Sequence, residues 1–309
     1  MKILSTSRYT NAPSFLVSLK RLPYKADAKV VTFFQTANNL PEIFRILKVL
    51  PAIDIIDYFC TYKRTTAVYI PERGIMIGAV RHNDRTSIAH IFTSAHGMVP
   101  FVWFMSGSGK NVSRNTLLQP LTQLEFQAEY VPTESLQHIK EIKNCAPYRD
   151  IPRNPMKSAI ALFLSEFLTY ALKGEQDNTP LFNYLTESLD WLDAAPQGDY
   201  ANFHIAFMIG VAAYIGICPN ADDYSPGYVL DLREGCFCAL EPKHTEWLAP
   251  ELSYKLNLLM KSGFDRIKDA PLTGQERVIL LHALNNWFRL HVPAFPVLKS
   301  IEVLETVFD

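Results

Sequence analysis

The chain has 309 residues, of which 48% are hydrophobic and 20% are charged, an ordinary composition for a globular protein of about two domains. Its formal net charge of −1 argues against a protein that coats nucleic acid by bulk charge alone. The charge is unevenly distributed, because residues 1–66 carry +6, residues 67–155 carry +2 and residues 156–309 carry −9. A mildly basic region joined to an acidic one suggests separate surfaces for phosphates and for other partners.

The cysteines and the apolar runs indicate the expected compartment. The five cysteines are an odd number and lack the spacing of a disulfide framework. No signal peptide is evident, so we expect a reducing, cytoplasmic location. The longest apolar run, Ala206 to Cys218, is shorter than the roughly 17–25 residues that a membrane span needs. We therefore predict a buried helix there and no membrane association.

The region from Arg73 to Pro120 consists of short apolar runs separated by polar turns. Its alternating residues include Ile75, Ile77, Ile88, Phe92, Phe101 and Trp103. This period of two is typical of strands with one buried face. Two further runs follow at the same spacing, Leu121 to Val131 and Leu136 to Lys143. Because open strand edges invite aggregation, the sequence predicts closure into a five-stranded β-barrel of the OB type over residues 67–148.

The pattern becomes helical after a proline-containing boundary at residues 144–154. The first apolar stripe at helical spacing is Ile160, Phe163, Leu164, Phe167 and Leu168. Further helices are predicted at residues 180–193, with Thr179 as cap, and at 201–217, 245–261 and 273–292, with a loop or hairpin at 219–238. The predicted fold class is α+β, with the barrel followed by an all-α domain at residues 149–309.

The predicted barrel carries the cations of a candidate DNA-binding site. They are Arg73, Arg81, Arg85, Lys110, Arg114, Lys140 and Lys143. OB barrels bind single strands through a basic groove and through aromatic side chains on which bases stack. Trp103 is the aromatic candidate, with Phe104 beside it. Neighbours on a strand point to opposite faces, so one of the two is expected to face outward while the other is core.

Three patterns that would indicate other chemistry are incomplete in this sequence. The sequence GSGK ends at Lys110, but a P-loop would need Gly in place of Phe104 and Ser or Thr in place of Asn111. Cys218, Cys236 and Cys238 are too few for a four-ligand zinc site. No nucleophile–base pair can be assembled from the sequence. We therefore predict no metal, no cofactor, no catalytic residues and a non-enzymatic function.

Several ordered blocks carry a resemblance to a known family. The blocks RGIMIGAVRHNDRTSIAHIFTSAHG, LLQPLTQLEFQ and LQHIKEIK, with the C-terminal NNWFRLHVPAFPVLKSIEVLETVFD, resemble the RecO family of bacterial recombination-repair mediators. The resemblance implies a protein that binds single- and double-stranded DNA and the C-terminal tail of single-strand-binding protein. It also implies strand annealing, and action with RecR to load a RecA-type recombinase at the nucleoid.

The chain departs from the family pattern at two places. RecO-like chains carry a denser basic run where this sequence has only Lys110 and Arg114 in the loop 106–114. Some members also carry a four-cysteine zinc site, but residues 219–224 contain no cysteine where the first pair would stand. The loop at 219–238 is therefore interpreted as a vestige without zinc.

Residues 1–66 lie outside the resemblance and have two interpretations. They form a genuine basic extension that packs on the barrel or touches DNA, or they are translated upstream sequence with the true start near residues 68–70. We favour the second interpretation because RecO-like chains begin close to the first barrel strand.

The resemblance also implies a tail-binding pocket in the helical domain. The candidates are Lys157, Phe163, Phe167 and Tyr170. Such a pocket takes an aromatic anchor and pairs its carboxylate with a cation, although the same apolar residues could simply be core.

A competing hypothesis is a protein-only adaptor with little intrinsic DNA binding. The sparse basic loop and the charge of −9 on the helical region favour that alternative.

Overall fold

A computed structural model of the protein describes residues 69–104, 115–131, 133–176 and 178–308. The predictions for residues 1–66, Lys110 and Arg114 lie outside these residues. Val68–Asp309 forms one compact unit, and the architecture below is that of this unit.

The first part of the fold is a five-stranded antiparallel sheet. Its strands are β1 Ile70–Arg81, β2 Thr86–Thr93, β3 Gly97–Phe104, β4 Gln123–Glu129 and β5 His138–Asn144, in the order β3-β2-β1-β4-β5. The β1–β2 turn is closed by Asn83, whose side-chain oxygen accepts hydrogen bonds of 2.8 Å from the N–H groups of Arg85 and Thr86. A bulge between Met76 and Gly78 changes the register of β1 against β2.

The two edge strands approach each other through a single bridge rather than a continuous ladder. Gln137, just before β5, pairs in parallel with Phe101 of β3. The N–H of Val102 donates to the carbonyl of Gln137, and the N–H of Gln137 donates to the carbonyl of Pro100, both at 2.9 Å. The sheet is therefore not fully closed, but its strand order and the bridge between its two edges confirm the predicted OB-type fold followed by a helical region.

Both faces of the middle of the sheet are buried, although the alternation predicted only one. Inside the barrel lie Met76, Ile91, Phe101, Trp103 and Phe126. On the outer face, Ile75, Ile77 and Phe92 join the core of the helical region. Because successive side chains point to opposite faces, β1 supplies residues to both cores.

The described part of the helical region contains six α-helices. They are α1 Pro155–Ala171, α2 Thr179–Ala194, α3 Phe203–Tyr214, α4 Pro250–Lys261, α5 Gly274–His291 and α6 Ile301–Phe308. Helix α1 begins where predicted, because the Asn154 side chain caps it ahead of Pro155. The predicted cap Thr179 of α2 is wrong, since Asn178 accepts from the N–H of Leu181 at 3.1 Å.

A small sheet and two corrected helix bounds complete the fold. Strands β6 Val229–Asp231, β7 Cys236–Cys238 and β8 Trp247–Leu248 pair in the order β7-β6-β8. Helix α4 begins five residues later than predicted because β8 occupies part of that segment and Pro250 opens the helix. Helix α3 is shorter than the predicted 201–217: it covers the twelve residues Phe203–Tyr214, of which nine are buried. None of the helices in the described ranges has both the length and the hydropathy to cross a bilayer.

Polar contacts join the sheet to the helices. The hydroxyl of Ser165 on α1 donates to the carbonyl of Ile77 on β1. The amide of Gln123 on β4 donates to Asp190 on α2 at 2.7 Å. Gly97 opens β3 with φ of 66°, and a Cβ there would overlap the carbonyl oxygens of Glu175 and Gln176 after α1. Sheet and helices are thus fitted closely to each other.

Candidate nucleic-acid interface

One group of cations lies at the β1–β2 turn. Arg81 ends β1, Arg85 is the last residue of the turn, and both are exposed. Arg81 donates to Asp84 at 2.7 Å, and both side chains of this pair are largely in solvent. Exposed pairs of this kind contribute about 0–1 kcal/mol, so a phosphate can compete with Asp84 for Arg81 at little cost.

A second group lies toward the opposite end of the sheet. In the strand register Glu125 of β4 stands between Arg73 of β1 and Lys143 of β5, and it pairs with Lys143 at 3.3 Å. The ammonium of Lys140 lies 4.0 Å from the centre of the Tyr69 ring, and the guanidinium of Arg73 lies 5.8 Å from that of Phe182. These cations are already engaged with the protein.

The two groups do not form one groove. Arg81 lies eight positions after Arg73 along β1, which corresponds to roughly 26 Å of strand. The predicted set therefore divides into Arg81 and Arg85 at one end and Arg73, Lys140 and Lys143 at the other.

The exposed aromatic side chain at the end of β3 is Phe104, not the predicted base-stacking residue Trp103. Trp103 is 0% exposed inside the barrel, whereas Phe104 is 57% exposed on the outer face. No base could stack on Trp103 without opening the barrel core, so this predicted role is corrected. The alternation of side chains required one outward residue, but the apolar content of both faces left the choice between them undecided.

Four residues were predicted to bind the partner tail, and the three aromatic ones lie in or against the core of the helical region. Phe163 and Phe167 are fully buried, and Phe167 contacts the Phe288 ring at a centroid distance of 4.7 Å. Tyr170 is half-buried and packs near Phe295. These residues form the core that joins α1 to α5, so the predicted contact of Phe163 and Phe167 with a partner is corrected.

Lys157 is the fourth of these residues, and it is also buried. Its ammonium pairs with Asp150 at 2.7 Å and donates to the carbonyls of Asp193 and Ala195 at 2.9 and 2.7 Å. With its donors used in this way, Lys157 fastens the start of α1 to the end of α2. It offers no free charge to a carboxylate, which corrects its predicted role.

A cleft of about 690 Å³ lies beside these residues on the surface of the helical region. Its lining includes Arg153, Met156, Gln197, Tyr200 and Val307. Arg153 is exposed, while Met156 and Val307 are half-buried. The cleft thus combines an accessible cation with apolar walls, a combination that sequence periodicity did not reveal.

A polar cluster on the sheet was also missed by the sequence analysis. The buried Glu72 of β1 accepts hydrogen bonds from Ser94 and from Tyr130, the latter at 3.3 Å, and lies 3.0 Å from Nδ1 of His96. Burial, followed by the charge of Glu72, raises the pKa of Tyr130. Through Glu72, the cluster links two segments to β1: the β2–β3 turn, by Ser94 and His96, and the residue after β4, by Tyr130.

The small sheet β6–β8 is held by side-chain charges. Asp231 accepts from the N–H groups of Arg233 and Glu234 at 2.8 and 3.1 Å and lies 3.2 Å from Nε2 of His244. Burial works to raise the pKa of Asp231, but these two N–H groups and His244 outweigh it, so the pKa lies below its ordinary value. Glu246 in turn pairs with Arg233 at 2.9 Å.

The thiols near this sheet do not assemble a metal site. Burial raises the pKa of Cys218 to about 11, and burial followed by nearby negative charge raises the pKa of Cys236 and Cys238. In the part of the chain that the structure describes, no three His, Cys, Asp or Glu side chains converge as metal ligands.

Comparison with known proteins identifies the family. Residues 69–148 match the family model described as "Recombination protein O N terminal", and residues 152–300 match "Recombination protein O C terminal". A DNA repair protein RecO from Phocaeicola vulgatus is 38% identical over 236 residues, which are 76% of this chain and 98% of the relative. A DNA repair protein RecO from Porphyromonas gingivalis is 35% identical over 246 residues, covering 78% of this chain and 99% of the relative. The chain therefore belongs to the RecO family of DNA repair proteins.

Proposed function

We propose that the protein is a non-enzymatic mediator of recombinational DNA repair. In this role it binds single-stranded and double-stranded DNA, and it binds the C-terminal tail of single-strand-binding protein. It anneals complementary strands and acts with RecR to load a RecA-type recombinase, in the cytoplasm and in association with the nucleoid. No cofactor is required, because annealing needs only charge neutralisation and weak, exchangeable base contacts.

The observation that carries the DNA-binding part is the exposed pair Arg81 and Arg85 beside the exposed Phe104. Thr86, the residue after Arg85, stands directly opposite Phe104 in the β2–β3 register. OB folds bind oligonucleotides on the face of strands 2 and 3 and on the β1–β2 loop, which are the elements that present these side chains.

The test is the salt dependence of single-strand binding by the full chain. Each phosphate contact contributes about −0.7 to the slope of log K against log salt. The double variant Arg81→Glu, Arg85→Glu should lower affinity and flatten the slope by about 1.4, the value for two contacts. Arg289→Glu, an exposed change on α5, is the matched control and should bind as wild type. An unchanged slope in the double variant would remove the turn from the site.

The cleft beside Arg153 is the proposed site for the tail of single-strand-binding protein. An acidic tail that ends in phenylalanine would place its ring against Met156 and Val307 and its α-carboxylate on Arg153. Fluorescence anisotropy of such a peptide should show binding that Arg153→Glu abolishes and that amidation of the carboxylate weakens. Equal binding of the amidated peptide would contradict the carboxylate contact.

The protein-only adaptor is the second candidate function, favoured by the charge of −9 on residues 156–309. It predicts peptide and RecR binding without measurable single-strand affinity at low salt. The comparison requires the full chain, because Ile75, Ile77 and Phe92 of an isolated barrel would lose their helical cover. Single-strand binding at low salt by the wild-type protein would exclude it.

A further inference from the structure

Strand β7 forms an open edge of the small sheet. Among the residues that the structure describes, it pairs with β6 on one side and has no strand on its other side. Such an edge presents a row of main-chain N–H and C=O groups, to which an extended peptide can add as a further strand. The chain stays at the surface beyond this edge, where Leu240 is 82% exposed.

The two faces of β7 differ in character. Cys236 and Cys238 point to one face and Phe237 to the other, because successive side chains alternate. Phe237 is buried, and its ring meets that of Tyr224 edge-on at a centroid distance of 5.3 Å. The Tyr224 ring in turn lies 6.2 Å from that of Tyr254 on α4, which is 46% exposed. An apolar strip therefore leads from this face of β7 to the surface of α4.

Carboxylates surround the opposite face of β7, which carries the thiols. Burial first, and then the negative charges of Asp231, Glu234 and Asp223, raise the pKa of the Cys236 thiol, so these carboxylates lie close to this face. Asp231 is buried, but Asp223 and Glu234 are exposed. The neighbouring Arg233 is paired with a different carboxylate at 2.9 Å. The thiol face is therefore negatively charged and open to solvent.

We infer that the β7 edge binds an extended segment of a partner protein in which basic and apolar residues alternate. As a fourth strand of the small sheet, such a segment would place its apolar side chains beside Phe237. Its basic side chains would then lie beside the thiols, near Asp223 and Glu234.

The charge of this edge identifies the occupant. A second copy of the chain would bring the same carboxylates against each other, because a two-fold interface pairs a surface with itself. Lys and Arg side chains would instead be attracted to Asp223 and Glu234. The inference goes beyond the proposed DNA and tail binding, since DNA and an acidic tail would both be repelled here.

The test measures binding of fluorescein-labelled synthetic peptides to the full chain by anisotropy at low salt. An eight-residue peptide that alternates lysine and valine should bind. A peptide of the same composition with its lysines in one block should bind about tenfold more weakly, because its valines cannot all face Phe237. Methylation of the main-chain nitrogens of the alternating peptide should abolish binding, since strand addition needs these donors.

Variants and thiol labelling locate the peptide on the protein. Glu234→Lys should weaken binding of the alternating peptide roughly tenfold, because the reversal replaces attraction with repulsion. Glu187→Lys, the same change of charge at an exposed position of α2, is the matched control and should bind as wild type. The bound peptide should slow alkylation of Cys236 by iodoacetamide, measured by mass spectrometry, and leave that of the exposed Cys145 unchanged.

The contrary outcomes each overturn the inference. Absence of binding by the alternating peptide would reject the edge as a docking surface. Equal binding of the block peptide, or wild-type binding by Glu234→Lys, would show attraction to net charge without strand addition. Unchanged alkylation of Cys236 would place the peptide elsewhere. A dimer in sedimentation that Leu240→Asp abolishes would make a second copy the occupant. Thermal unfolding of each variant verifies that it folds.

Discussion

The stability of the protein should depend on pH through His204. This histidine lies on α3, is fully buried, and meets the Phe163 ring edge-on at a centroid distance of 6.3 Å. Burial, followed by the positive charge of Arg277, lowers the pKa of His204 to about 3. The unfolded chain has an ordinary histidine pKa of about 6.5. Between these values the unfolded state binds a proton that the folded state does not.

The sign and size of the effect follow from this difference. Because the unfolded state binds more protons, the free energy of unfolding falls as the pH drops below about 6.5. For a folded pKa near 3, the loss from this group is about 1.4 kcal/mol between pH 7.5 and 5.5. It reaches about 2.7 kcal/mol at pH 4.5, and it continues until the pH approaches the folded pKa.

Urea unfolding at pH 7.5, 6.5 and 5.5 measures this contribution. His204→Gln has no imidazole to protonate, so its free energy of unfolding should vary less with pH than that of wild type by about 1.4 kcal/mol over this range. His82→Gln, in the exposed β1–β2 turn, is the control and should retain the wild-type dependence. The comparison uses the change with pH, so any constant cost of the substitution cancels. Parallel curves for wild type and His204→Gln would refute the reasoning.

Three other changes test the packing of the unit. Gly97→Ala should destabilise the protein by about 1–3 kcal/mol more than Gly174→Ala in thermal unfolding, since both have positive φ but only Gly97 is crowded by backbone; equal effects would show that the crowding is unimportant. Lys157→Met should cost about 1–3 kcal/mol in urea unfolding, because two carbonyls lose a buried donor; wild-type stability would contradict this. Asp231→Ala should lower the unfolding midpoint, whereas a metal chelator should not change that of wild type; a chelator-induced shift would reveal a bound metal.

The sequence was sufficient for the type of each main element. Period-two alternation identified the five strands, and the change to helical spacing after residue 154 located α1, because these periods follow directly from backbone geometry. The wrong predictions concern side chains whose roles are set by contacts with residues far away in the sequence. The role of Lys157 depends on carbonyls at residues 193 and 195, about forty positions away, and no local pattern contains that information.

The outer face of the barrel shows what alternation leaves open. Ile75, Ile77 and Phe92 point outward and are covered by helices, whereas Val80 and Phe104 also point outward and are exposed. Both sets are apolar, so hydrophobicity alone does not tell which part of the face is covered. The covered part commits the barrel to the helical region and fixes its orientation. The exposed part adjoins the turn that carries Arg81 and Arg85, so the packing that joins barrel to helices also determines which apolar side chains of the barrel stay exposed.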